Sequence, residues 1–360
     1  MTALLQKPST IFRLTDDLTA AEPPEQRGLS RDGVRLLVAE HSADGTDRVI
    51  HRRFRELPEY LRAGDLLVVN TSATLAGEID GTWRGGAPVV VHFATELDDG
   101  SWVVELRSAP DGATPLLAAG VGDEILLPRR VSLRLLEPYG GRTASPTGEG
   151  NRLWRGDVRS ASRLAAYLAR YGRPISYGYL SRHWPLSDYQ TVFSREPGSA
   201  EMPSAGRPFT TELVTDLVRR GIGVAPITLH TGVSSQDAGE PPQPERFAVS
   251  ASTARLVNQT RLAGGRVVAV GTTVTRALES AADAAGEVRP AAGWTEHIVG
   301  GENPARVVTG LITGLHNPEA SHLLLVESIA GARLTQLAYD AAVAERYLWH
   351  EFGDSCLLLP

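Results

Sequence analysis

RVVAVGTTVTRALES, residues 266–280, holds the architecture in miniature: an apolar strand, a Gly-Thr-Thr turn, and a helix that begins near Thr272. A short apolar run without polar alternation suits a strand covered on both faces, and a helix directly after it makes a strand–helix unit. The same grammar repeats outward. GVAPITLH (223–230) predicts a buried strand, with amphipathic helices over TTELVTDLVRRG (210–221) before it and SASTARLVNQTRLAGG (250–265) after it. Glu212 falls in the first turn of the 210–221 helix and Arg219–Arg220 in its last, as the helix dipole prefers. TTVTRALESAADAAG (272–286) continues as helix, and SASRLAAYLARYG (160–172) is a further helix, capped by its serines and closed by Gly172. ARVVTGLITG (305–314) and CLLLP (356–360) predict strands around helices in 320–349. The alternation predicts a layered α/β domain with a mostly parallel sheet.

Nearer the N-terminus, VRLLVAE (34–40) and RVIHRRF (48–54) flank the turn-rich HSADGTD and predict a hairpin. ELPEYLRAGD (56–65) reads as a short helical turn before the strand LLVVN. From about 64 to 157 the period changes to two: TLAGEIDGTW, PVVVHFATEL, SWVVELRSA, DEILLP, SLRLLEP and NRLWRG are short strands separated by Gly, Asp and Pro. Strands at this spacing predict a small β-barrel or sandwich. The predicted organisation is a discontinuous α/β domain, 1–63 and 158–360, with a barrel inserted at 64–157 and a hairpin tip at 140–150.

The 360 residues, 42% hydrophobic and 22% charged, have the balance of a soluble globular protein. No apolar run reaches the roughly 18 residues of a membrane span, and Met1–Phe12 lacks a signal pattern. The single cysteine, Cys356, excludes a disulfide framework and a cysteine zinc cluster. A cytoplasmic chain is expected. Lys7 is the only lysine, and the net charge of −6 confines any nucleic-acid contact to a local basic patch.

Three places can carry chemistry. The Gly271–Thr272–Thr273 turn puts a helix N-terminus at the carboxyl end of a strand, where free N–H groups and hydroxyls meet an anion. The same residues also read as a plain glycine turn with a threonine cap, and they are not a GxGxxG fingerprint. PSAGRPFT (203–210) has the Pro, Gly and Ser density of a rigid loop entering a helix at Thr210. His230 ends the strand APITLH and His316 follows LITGL, both where α/β ligand sites form. Either histidine alone is compatible with a structural role; two in equivalent positions favour a site. No histidine spacing matches a metal motif, so no metal is expected.

Together and in order, FRELPEYLRAGDLLVVN (54–70), DYQTVFSREPGS (188–199), PSAGRPFT, TLHTG (228–232), GGRVVAVGTTVTRALESAA (264–282), LITGLHNP (311–318) and FGD (352–354) resemble the S-adenosylmethionine:tRNA ribosyltransferase-isomerase family, over essentially the whole chain. The resemblance implies an α/β catalytic domain interrupted by a small barrel. It implies transfer and isomerisation of the ribosyl part of S-adenosylmethionine (SAM) onto the aminomethyl group of a 7-deazaguanine in tRNA. The product is epoxyqueuosine-tRNA, with adenine and methionine released and no added cofactor. On this resemblance Ser204, Ala205, Gly206, Thr228, Gly271, Thr272, Thr273 and Arg276 are expected to bind SAM, with His230 and His316 as catalytic candidates. Arg276 and Glu279, three apart, are expected to face each other on their helix. Arg129, Arg130 and Arg134 on the barrel, with Arg182 and Arg195, are the expected tRNA-phosphate contacts. The chain departs from the family where Ala73 and Glu78 occupy arginine places, Glu78 adding a negative charge there, and Pro208 a histidine place. Those departures keep two alternatives in view: SAM chemistry with a small-molecule acceptor or none, and a non-catalytic SAM-binding protein.

Overall fold

Apolar strands that bury alternate residues on opposite faces build the large sheet of the computed structural model, which describes residues 7–41, 45–141, 150–159, 164–233, 243–318 and 320–360. In chain order, β1 (Arg35–His41) and β2 (Asp47–Arg53) form the predicted hairpin, and β3 (Leu66–Asn70) and β4 (Ser72–Thr74) follow. The barrel strands are β5 (Glu78–Trp83), β6 (Ala87–Glu96), β7 (Trp102–Ser108), β8 (Glu124–Leu127), β9 (Val131–Pro138) and β10 (Leu153–Arg159). Then come α1 (Leu164–Tyr171), β11 (Glu196–Ser199), α2 (Thr211–Arg219), β12 (Gly223–Leu229), β13 (Glu245–Val249), α3 (Ala251–Leu262), β14 (Val267–Val270) and α4 (Thr272–Ser280). The last elements are β15 (Ala291–Thr295), β16 (Gly310–Gly314), α5 (His322–Ala330), α6 (Ala332–Ala344) and β17 (Ser355–Leu359).

The nine-stranded sheet runs β15-β13-β12-β3-β14-β16-β17-β1-β2. β12, β3, β14 and β16 are mutually parallel. β17 and β1 are parallel as well, whereas the pairs β15–β13, β13–β12, β16–β17 and β1–β2 are antiparallel, so the expected mostly parallel sheet is parallel in four of its eight pairings. Leu66 and Val68 point into a core shared with Val274, Ala277 and Leu278 of α4 and with α5 and α6. Leu67 and Val69 point the other way, onto Phe54, Phe209, Leu213 and Leu217. Burial on both faces is why these strands are continuously apolar, and each such Val or Leu contributes about 1.5–3 kcal/mol. Pro226 interrupts β12 without harm because β13 pairs only from Thr228 onward, leaving an open edge beside the proline.

All six predicted barrel segments close as β10-β7-β6-β5-β8-β9 around Ile79, Val91, Phe93, Val104, Leu133 and Trp154. The sequence boundary at 64 put LLVVN with the barrel; β3 instead lies at the middle of the large sheet, and the barrel proper starts at Glu78. The helix expected over 272–286 stops at Ser280, because Asp283 accepts the N–H groups of Ala285 and Glu287 and folds a turn in competition with the helix. The hairpin tip and the serine caps of α1 involve residues 142–149 and 160–163, outside the described residues. Among the described residues no helix is long and apolar enough to cross a membrane.

Candidate functional site

Because β12, β3, β14 and β16 are parallel neighbours, their carboxyl ends form one edge. Asn70 ends β3 at its centre. Its Nδ2 donates to the Leu229 carbonyl at 2.8 Å and to Thr273 Oγ1 at 3.3 Å, and its Oδ1 accepts the N–H groups of Ser72 and Leu229, both at 3.0 Å. One buried amide therefore fixes the end of β12, the start of α4 and the departure of the chain toward the barrel.

His230 follows β12 directly. Ser72 Oγ lies 2.7 Å from its Nδ1 and 2.5 Å from Ser199 Oγ, which also accepts the Thr231 N–H at 3.0 Å. A Cβ on Gly198 would stand 2.5 Å from the His230 Nδ1, so only glycine lets this ring lie flat on β11. With Nδ1 engaged, Nε2 is the nitrogen left for a reactant. Burial, reinforced by Arg246, lowers the imidazole pKa and keeps the ring neutral at pH 7. A neutral imidazole accepts a proton at Nε2 when its Nδ1–H donates to Ser72.

At Gly271 the backbone takes φ +100°, the left-handed side that favours glycine, and α4 begins at the next residue. A Cβ at Gly271 would touch Ala205 at 3.4 Å, so Ser204–Gly206 covers the start of α4. Ser204 also lines a small cavity with Pro208 and Gly314, which brings this loop to the end of β16. Thr228 shares a 3.0 Å hydroxyl contact with Thr71. Ser204, Ala205, Gly206, Thr228, His230, Gly271, Thr272 and Thr273 thus converge on one edge.

His316 belongs to the same edge at the end of β16. Three strand spacings separate β12 from β16, about 14 Å at about 4.8 Å each, so the two histidines flank the edge rather than touch. His316 Nε2 lies 2.8 Å from Thr313 Oγ1, its N–H donates to Tyr339 Oη at 3.2 Å, and its carbonyl accepts the Trp349 indole at 3.0 Å. The ring stacks parallel on His322 at 4.8 Å. Burial, with His322 and His350 adding to it, lowers its pKa well below the ordinary value.

Two expectations are corrected. Arg276 and Glu279 do not pair. Arg276, only 9% exposed, binds Glu245 and donates to the carbonyls of His297, Gln243 and Thr295, so it pins β13 and β15 to α4 instead of reaching the ligand edge. Glu279 accepts the N–H groups of Arg306, Val307 and Val308 at 2.9–3.1 Å, anchoring the approach to β16. Glu78, read as adding negative charge beside the site, is fully buried. It contacts His92 at 3.1 Å and Arg173 at 2.6 Å and accepts the Ser176 N–H, so its charge is compensated on the barrel's outer wall, on the face opposite Ile79. Arg129, Arg130, Arg134, Arg182 and Arg195 are all exposed. Arg182 lies over Trp184, and the Arg195 N–H donates to the Thr71 carbonyl beside the site.

Asn70, Ser72, Ser199 and His322 were not singled out from sequence. Asn70 carried a signal, a lone amide closing an apolar strand; the two serines carried none, because their roles come from the β4–β11 pairing of distant segments.

The geometry defines a class: an α/β protein with a ligand edge at parallel strand ends and a β-barrel inserted beside it. Comparison with known proteins narrows it. The queuosine biosynthesis protein family matches residues 9–358, and the chain belongs to that family. It is 36% identical over 359 residues, covering 97% of this chain and 98% of the relative, to the S-adenosylmethionine:tRNA ribosyltransferase-isomerase of Symbiobacterium thermophilum. The Thermus thermophilus enzyme of the same name is 35% identical over 353 residues, covering 94% of this chain and 97% of its own length. The crystal structure of S-adenosylmethionine tRNA ribosyltransferase from Thermotoga maritima superposes with a TM-score of 0.52 at 27% identity, covering 97% and 99% of the two chains.

Proposed function

We propose that this protein transfers and isomerises the ribosyl part of SAM onto the aminomethyl-7-deazaguanine of tRNA, giving epoxyqueuosine-tRNA and releasing adenine and methionine. The observation that carries the reading is the single edge on which Asn70 assembles His230, the Gly271–Thr273 helix start and the serine relay, in a chain of this family. The SAM sulfonium makes the C5′ protons acidic. A neutral imidazole at His230 or His316 removes one, adenine leaves as the ribose opens, the acceptor amine adds, and methionine departs. Orientation of the reactants along the edge and the helix-start dipoles lower the barrier further. Ser204–Gly206, Thr228 and Gly271–Thr273 are the proposed SAM contacts. Arg276 supports that surface from behind, through Glu245, which reaches the Gly232 N–H at 3.4 Å.

The reaction draws on the sulfonium for its acidity and uses SAM as substrate rather than as a resident cofactor. The proposed tRNA contacts are Arg129, Arg130, Arg134, Arg182 and Arg195, and a tRNA substrate places the protein in the cytoplasm. The test is incubation with SAM, with and without tRNA carrying the aminomethyl-deazaguanine, followed by mass analysis. Ribosylated tRNA with equal adenine is expected. SAM turnover without tRNA would replace the acceptor, and SAM binding without turnover would leave a binding protein.

A further inference from the structure

Where β12, β13 and β15 run side by side, their register sets three side chains in a row. Thr228 pairs with Ala248 and Leu229 with Phe247, and the His230 N–H continues the ladder to the Arg246 carbonyl at 2.9 Å. Arg246 in turn pairs with Trp294. Residues directly opposite in an antiparallel ladder share a face, with Cβ atoms about 5 Å apart. His230, Arg246 and Trp294 therefore form one line, on the face turned away from Leu229 and Phe247, which point into the core.

Arg246 is the middle member, and it leans away from the histidine. Its guanidinium lies over the Trp294 ring, 5.1 Å from the centroid, and binds Asp98 Oδ1. The Trp294 indole N–H donates to Asp98 Oδ2 at 2.9 Å. One carboxylate from the β6–β7 turn of the barrel thus holds the guanidinium and the ring beneath it together, on the side of the row away from the imidazole. The other charges near the ring have partners of their own. Glu196 of β11 is bound by Arg195 at 3.4 Å, and Glu245, on the opposite face of β13, by Arg276. Ser72 of β4 and Ser199 of β11 are neutral. Burial, and after it Arg246, lowers the imidazole pKa. The Asp98 and Arg246 side chains are 72% and 47% exposed, so their pair adds little to stability. What the pair decides is where the charge sits.

We propose that Asp98 is a positioning residue: it parks the Arg246 guanidinium on Trp294 and so keeps an uncompensated positive charge off the His230 ring. The inference deepens the functional reading above and rests on it for its kinetic consequence. An uncompensated guanidinium beside His230 would oppose the imidazolium that forms when Nε2 takes the C5′ proton. A residue of the inserted barrel thereby sets the charge beside the proposed base without touching it.

The experiment is an NMR titration of the full chain that follows the His230 ring signal, identified by its absence in His230→Gln. It needs neither SAM nor tRNA. Asp98→Asn keeps an acceptor for the indole and removes the charge. The midpoint of the His230 titration should then fall by about 0.3 or more on the pH scale, with the melting temperature unchanged. Arg246→Met keeps the stem without the charge and should raise the midpoint. Asp98→Asn added to Arg246→Met should move it by less than about 0.1, because Asp98 acts through the guanidinium. A midpoint that Asp98→Asn leaves in place or raises overturns the proposal. An equal fall in both backgrounds overturns it too, since Asp98 would then act on the ring directly. A kinetic arm tests the functional reading separately: in Asp98→Asn the acid limb of adenine release should move down with the midpoint. An acid limb that stays put while the midpoint moves removes His230 as the base and leaves Asp98 in its positioning role.

Discussion

Replacing His230 by Ala separates a working base from a packing residue. If Nε2 takes the C5′ proton, kcat should fall by about 10²–10⁴, equal to about 2.7–5.5 kcal/mol of barrier at 1.36 kcal/mol per decade. The structural cost is smaller. Ser72 keeps its 2.5 Å contact to Ser199, and Ser199 keeps the Thr231 N–H, so the fold loses one hydrogen bond and a half-buried ring. That is about 1–2 kcal/mol of stability. His230→Gln, which can still reach Ser72, should recover stability without recovering rate. The assay is adenine release at saturating SAM and tRNA, with melting temperature measured in parallel. Burial and Arg246 depress the imidazole pKa below its ordinary 6.5, and protonation disables the base, so the wild-type rate should hold as pH falls to about 6.5 and drop only below it. His230→Ala with kcat within about threefold of wild type, or with normal activity per folded molecule but a collapsed melting temperature, would refute the reasoning.

Other perturbations follow from the same contacts. Gly198→Ala should displace the His230 ring, whose Nδ1 would lie 2.5 Å from the new Cβ, and lower kcat about tenfold or more while calorimetry shows SAM binding retained. Glu279→Ala strands the N–H groups of Arg306, Val307 and Val308; denaturant titration should record a loss of about 3–5 kcal/mol, and a loss under about 1 kcal/mol would mean that water replaces the carboxylate. His316 has a depressed folded-state pKa, so its contribution to stability is complete above about pH 6.5 and is lost as pH falls toward the folded value; His316→Asn should flatten that acid limb in pH-dependent melting. Neutralising Arg129 and Arg130 should weaken tRNA binding for all sequences alike and reduce the salt slope by up to about 2, and an unchanged slope would move the tRNA contact elsewhere.

The barrel and the central strands were legible because their cause is local. Six strands alternating at period two, and runs such as VVAV and LLVV, state their own burial. The strands ERFAV and AAGWT were not read as strands, being short and paired only with each other and with the tip of β12. Arg276 was misread for a different reason. Helix spacing offered it Glu279, but the stronger claims came from Glu245 and three carbonyls on segments 19 to 33 residues away. Sequence proximity names possible partners; long-range pairing of orphan donors and acceptors selects among them. Glu78 teaches the same lesson. In a place where the family has an arginine it read as negative charge at the site, whereas the strand buries it on the barrel's outer wall against His92 and Arg173.

The position of Asn70 explains why the barrel belongs to the site. The chain leaves the central strand at Asn70 and returns to the same edge through β11, and β4 and β11 pair there in parallel. Both connections place a serine against the His230 relay, Ser72 on the way out and Ser199 on the way back. A third tie, the Asp98 carboxylate of the β6–β7 turn, holds Trp294 Nε1 at 2.9 Å and Arg246, the residue that also lowers the His230 pKa. A shift of the barrel against the sheet would therefore alter the orientation of the His230 ring and the charge next to it together. On the proposed function, tRNA docked on the barrel and proton transfer at the edge meet at these residues, which gives an inserted domain a direct physical route to the proposed chemistry.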